Sequence, residues 1–145
     1  MDVMSKRGVY SLGDIDITAA GTQVGDWLTG LDGMTGFSYQ NRLAYGSGGG
    51  DIRVFLQGSF DQGTTAVDLD CEVFGTVSKT TLLSFDGRNT VQRSGSPAEG
   101  VTPTDGALAD DTSIDGLMPD RLRVKIVSTG TYAGSTVVSP RVVVR

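Results

Sequence analysis

The sequence predicts an all-β protein: an antiparallel β-sandwich or jelly-roll-like domain that carries a long Pro/Gly-rich loop or arm. Three observations lead there. Short runs alternate apolar and polar residues with the period of a strand, whereas helix-period runs are scarce. Glycine is frequent, with 21 of 145 residues, and Gly, Asp and Pro punctuate the runs at turn-like intervals. A single domain spanning residues 1–145 is expected, because a chain of roughly 150 residues can bury about two-thirds of its unfolded surface in one core.

Taken in order, VYSLGDIDIT reads as strand. GDWLTGLDG reads as a short helix or turn, with Asp26 as N-cap and Gly30 or Gly33 closing it. Trp27, beside Leu28 and Leu31, is expected to pack into the core. FSYQNRLAYG is a further strand. GSGGGD, residues 46–51, is expected to be a flexible joint; it lacks the Lys and Ser/Thr of a phosphate-binding loop and precedes a strand.

The clearest hairpin follows. DIRVFLQGS places Ile52, Val54 and Leu56 on one face, and FDQGTT is a turn signal. AVDLDCEVF then alternates strictly. Val67, Leu69, Cys71 and Val73 point one way, and Asp68, Asp70, Glu72 and Phe74 the other. The stretch SFDQGTTAVDLDCEVFG holds Asp61, Asp68, Asp70, Glu72 and the single cysteine, which raises the question of an acid–base or metal site. Strict alternation favours a solvated polar row instead, with both carboxylates of Asp68 and Asp70 ionised and Cys71 acting as a small hydrophobe.

TVSKTTLLSF reads as strand. Near the C-terminal end, DRLRVKIVS turns Leu122, Val124 and Ile126 inward and Arg121, Arg123 and Lys125 outward. TGTYAGST connects it to TVVSPRVVVR, which has Val142 and Val144 on one face. Pro140 cannot donate to a ladder, so this last strand is expected to kink or to lie at a sheet edge, where it could pair with another subunit.

Residues 86–120 are the least ordinary segment, with Pro97, Pro103 and Pro119 and little strand pattern. Loops this long are usually functional. One reading is a surface loop; the other is an arm ordered against a neighbouring subunit, with Leu108, Ile114, Leu117 and Met118 as apolar anchors. Its aspartates do not follow the 1-3-5 spacing, with closing Glu, of an EF-hand.

Composition narrows the chemistry. There is no histidine, so Ser-His-Asp triads, His-dependent zinc sites and haem-His ligation are excluded. One cysteine allows no internal disulfide and fits assembly in a reducing compartment. The net charge of −5 argues against a duplex nucleic-acid partner. No apolar run is long enough for a transmembrane helix, and MDVMSKRGVY does not read as a secretory signal. Charge is segregated: six acids and no base lie between Glu99 and Asp120, then five bases and no acid between Arg121 and Arg145. Either the acidic segment is a solvated loop, or the two segments meet within a subunit or between neighbours.

Several stretches together resemble small virion proteins of tailed bacteriophages and prophages. They are DWLTGLDGM (26–34), AYGSGGGDIRVFLQGSFDQGTTAVDL (44–69), TPTDGALADD (102–111) and DRLRVKIVSTGTYAGSTVVSPRVVVR (120–145). Related sequences commonly carry an aromatic after GTT, where this chain has Ala66. A shorter likeness links QGSFDQGTT to discoidin-like carbohydrate-binding domains.

The resemblance implies a virion structural protein, foremost a capsid decoration or cement protein. It would bind the major capsid protein or other virion proteins as a homo-oligomer, with a trimer favoured, after assembly in the host cytoplasm. A head–tail connector, neck or tail component fits nearly as well. A carbohydrate-binding head-fibre or adsorption domain is a further class, which an exposed aromatic patch or bound calcium would mark. An enzyme would need a buried carboxylate pair in a deep pocket. No catalytic residue, cofactor, metal, nucleic acid or membrane is expected. Leu108, Ile114, Leu117, Met118, Arg141 and Arg145 are the expected subunit-interface residues.

Overall fold

The computed structural model describes residues 7–86 and 101–145. Among these residues no α-helix forms, and ten strands make two antiparallel sheets. They are β1 (Gly8–Ser11), β2 (Ile15–Ile17), β3 (Gly21–Val24), β4 (Gly36–Ala44), β5 (Ile52–Ser59), β6 (Val67–Phe74), β7 (Lys79–Asp86), β8 (Thr112–Ser113), β9 (Arg121–Ser128) and β10 (Thr136–Val144). The first sheet runs β1-β10-β4-β7, with β2 also on β10; the second runs β3-β9-β5-β6-β8. Pairing is nested along the chain. The β5–β6 hairpin is innermost, β4 and β7 pair around it, β3 and β9 around those, and β1 and β2 pair with β10 outermost.

Alternation explains the sandwich. Phe37, Tyr39, Leu43, Phe85, Val138, Val142 and Val144 from the first sheet join Ile52, Val54, Leu56, Leu122, Val124 and Ile126 from the second in one buried cluster. Each fully buried large side chain contributes roughly 1.5–3 kcal/mol. The Phe37 and Phe85 rings, opposite each other on β4 and β7, stack with centroids 4.7 Å apart. The inward positions expected in β5, β9 and β10 are those observed.

Three expectations fail for identifiable reasons. Residues 25–31 form no helix, and of the expected helix or turn only a turn at Asp32–Gly33 appears, where Met34 N–H donates to Leu31 O. Gly25 N–H donates to Val124 O, Leu28 exchanges hydrogen bonds with Leu122, and Leu31 N–H donates to Asp120 O, so the segment runs extended beside β9. The β9 edge supplies a ladder that a marginal helix cannot match.

Pro140 lies on a central strand, flanked by β4 and by β1 and β2. Its carbonyl accepts from Leu12 N–H at 3.0 Å. Its nitrogen therefore faces the break between β1 and β2, where no partner asks for an N–H.

GSGGGD is a packed crossing and not a loose joint. Gly49 N–H donates to Thr131 O and Gly50 N–H to Thr129 O. A Cβ at Gly46 would stand 2.1 Å from Ser135 O, and one at Gly49 would stand 2.2 Å from the Tyr132 ring.

Candidate functional site

The two outer faces of the sandwich differ. The second sheet's outer face is covered by residues 101–120, and Asp68 holds that cover. Its carboxylate accepts from Gln57 Nε2 (2.9 Å), Thr104 Oγ1 (2.8 Å), and the backbone N–H groups of Gly106 (2.9 Å), Ala107 (2.9 Å) and Leu108 (3.1 Å). Burial raises its pKa, but the bonds from Gln57, Gly106, Ala107 and Thr104 outweigh burial and leave it below the ordinary carboxylate value.

Ion pairs extend the seam. Arg53 holds Asp110 with two bonds of 2.8 and 2.9 Å, Lys125 Nζ meets Asp105 at 3.0 Å, and Arg121 meets Asp120 at 2.7 Å. The acidic and basic segments thus meet within one subunit. Such half-exposed pairs add little energy singly, but they fix the register of the cover.

The expected interface residues divide between the two faces. Leu108 and Ile114 are half-buried in the cover, and Ile114 N–H donates to Leu69 O. Leu117 and Met118 pack on the subunit's own core. Arg141 and Arg145 lie on the first sheet's outer face. Arg141 pairs with Asp14 at 2.8 Å, and Arg145 donates to Ser38 Oγ and Ser84 Oγ. Residues 87–100, the rest of the expected arm, lie outside the described residues.

The first sheet's outer face carries no such cover among the described residues. Val9 is 70% exposed, Leu82 72% and Val143 45%. With Ser38, Gln40 and Arg141 they line a shallow depression of about 250 Å³ across β1, β10, β4 and β7. Arg42 and Arg145 are exposed on the same face.

The acidic row of β6 is not solvated, contrary to its strict alternation. Leu56 pairs with Asp70 but Gln57 pairs with Asp68, so Leu69 is an extra residue in a β-bulge. The bulge flips the phase. Leu69 and Asp70 both face inward, Glu72 and Phe74 follow on the inner face, and Cys71 and Val73 turn outward. Asp68 is 0% and Asp70 2% exposed. Cys71 is buried opposite Phe55 beneath the cover, and burial pushes its thiol up to about 11, so it is no nucleophile at neutral pH.

Asp70 and Glu72 meet the inner face of β4 and β7 between the sheets. Thr81 Oγ1 donates to Glu72 Oε2. Asn41, beside Thr81 in the sheet register, is fully buried, as is Tyr39. Burial first, then the charge of Glu72 and its hydrogen bond, push Asp70 up to about 8. Burial, Glu72 and Asp70 likewise push the Tyr39 phenol well above its usual value. Sequence alternation alone marks Asn41 as anomalous, an amide on the Phe37–Tyr39–Leu43 face; Tyr39 and Thr81 carry no such signal. The pair has the chemistry of an acid–base dyad, with the free Asp70 Oδ2 buried and without a hydrogen-bond partner. No group of three or more Cys, Asp or Glu side chains is placed to hold a metal among the described residues.

Trp27 is half-buried, not core, and its ring is covered by the Arg123 guanidinium at 4.3 Å. That stacking occupies the face a sugar platform would need. Comparison of the chain with protein families, characterised proteins and solved structures finds no match.

Proposed function

We propose that the protein is a structural component of a tailed-phage virion, a capsid decoration or cement protein that sets the first sheet's outer face against the major capsid protein. The observation that carries this reading is the asymmetry of the two outer faces. One is largely covered by the chain's own residues 101–120, which leave Val24 exposed at its β3 edge; the other presents Val9, Leu82 and Val143 to solvent across four strands. An exposed apolar patch rimmed by polar residues is characteristic of an interaction surface.

The nested pairing supports a jelly-roll connectivity, a rigid body suited to repeated docking. Arg42, Arg141 and Arg145 would steer the face towards an acidic surface, and weak contacts would be multiplied by the many copies of a shell. Among the described residues no strand pairs with the outer edge of β7, which offers a place for copies to associate with one another. A ligand-binding role for Trp27 has less support, because its ring already stacks on Arg123.

The test is the absolute copy number per particle, measured by quantitative mass spectrometry on purified virions. Hundreds of copies, in proportion to the capsid protein, are expected. About six to twelve would move the protein to the neck or tail, where such symmetric rings occur. Absence from particles would overturn the reading.

A further inference from the structure

We propose that the space between the sheets at the β6–β7 edge binds one hard divalent cation, calcium by preference, through the Asp70 and Glu72 carboxylates, the Asn41 amide oxygen and the Thr81 hydroxyl. The first observation is the acid pair itself. Two carboxylates brought to one inner face have no cationic partner there among the described residues; Lys79, which lines the adjoining cleft, stands over the Phe74 ring at 5.9 Å and pairs with neither. Two carboxylates cannot hydrogen-bond each other unless one keeps a proton. A divalent ion removes that need by neutralising both.

The second observation is independent of charge. Tyr39 OH, both polar atoms of Asn41 and Asp70 Oδ2 are buried with no hydrogen-bond partner. Unpaired polar atoms in a core are costly and rare. These lie on the inner faces around Glu72 and Thr81, on both sides of the same gap. Their chemistry is oxygen-rich and free of sulfur or imidazole, which suits calcium and not zinc. Four protein oxygens leave positions that water can complete in the flexible coordination calcium accepts, whereas magnesium demands a stricter octahedron.

The third observation is access. A cleft of about 400 Å³, lined by Asp70, Glu72, Lys79, Thr81, Asp111 and Ser113, opens beside the pair. Asp111, whose carboxylate accepts from Val73 N–H at 3.1 Å, adds negative charge at its mouth. An ion held there ties β6 of one sheet to β4 and β7 of the other. It would clamp the sandwich. The inference is independent of the docking face.

Isothermal titration with calcium chloride on the intact, chelator-stripped chain tests it, beside thermal unfolding in calcium and in EDTA. Binding of one calcium per chain and a rise of about 5 °C in Tm at saturation are expected. Glu72→Gln should weaken binding at least about tenfold, since calcium affinity follows ligand charge. Asn41→Leu guards against a merely unstable variant. It should unfold no earlier than the parent in EDTA, because it removes two unpaired atoms, and should lose most of the calcium-dependent rise. A parent chain that folds identically with and without calcium would overturn the proposal, and so would a calcium effect unaltered by Glu72→Gln.

Discussion

Asp68→Ala would separate the cover from the body of the protein. The carboxylate accepts five hydrogen bonds, three of them from the consecutive backbone N–H groups of Gly106, Ala107 and Leu108. Left dry, each orphaned N–H costs about 1–3 kcal/mol, so the three together exceed about 3 kcal/mol. The segment can escape that cost by lifting into water, which caps the loss at whatever its docking contributes. The expected outcome is a loss of about 3–5 kcal/mol in denaturant unfolding, with a smaller m-value because the native state already exposes surface. Proteolysis should move in parallel: residues 101–118 should resist cleavage in the parent and be cut quickly in the variant. A loss under about 0.5 kcal/mol with an unchanged cleavage pattern would refute the anchoring role. The cover would then be held by Leu117, Met118 and the ion pairs.

Three further outcomes can be checked. Because the Asp68 pKa is lowered in the folded state, its contribution is full above the unfolded value of about 3.9 and disappears as pH falls through the lower folded value; Asp68→Asn should flatten the acid limb of a stability–pH curve that the parent shows. Gly49→Ala should cost about 1–3 kcal/mol by thermal unfolding, because its Cβ would lie 2.2 Å from the Tyr132 ring at a backbone φ of 80°. Leu82→Asp and Val143→Asp should change stability by no more than about 0.5 kcal/mol yet reduce particle binding in a sedimentation assay.

How far the sequence discloses this molecule depends on whether a feature is periodic. β5 and β9 were legible because Ile52–Val54–Leu56 and Leu122–Val124–Ile126 keep one phase throughout. β6 was not, since one extra residue at Leu69 reverses the facing of everything after it, and nothing in AVDLDCEVF distinguishes a bulge from continued alternation. The buried acids therefore looked solvated. Pro140 misled for a related reason: the rule that proline avoids central strands holds for its own hydrogen-bonding side, and the break between β1 and β2 satisfies it locally. The glycines of GSGGGD are frequent in flexible joints and equally necessary where two backbones touch; only the proximity of residues 129–135 decides between them. The open face of the first sheet is a tertiary fact. Val9, Leu82 and Val143 come from three distant stretches and meet only through β10 and β4.

The proposed role requires that the first sheet's outer face, not the acidic cover, meet the shell. Hydroxyl-radical footprinting of the free protein against assembled particles tests it directly, because it reads exposed Val and Leu side chains one by one. Protection of Val9, Leu82 and Val143 on assembly, with the 101–118 cover and Val77, which is exposed between β6 and β7, unchanged, is the expected result. Protection of the cover with the first sheet's face still oxidised at its free rate would contradict it.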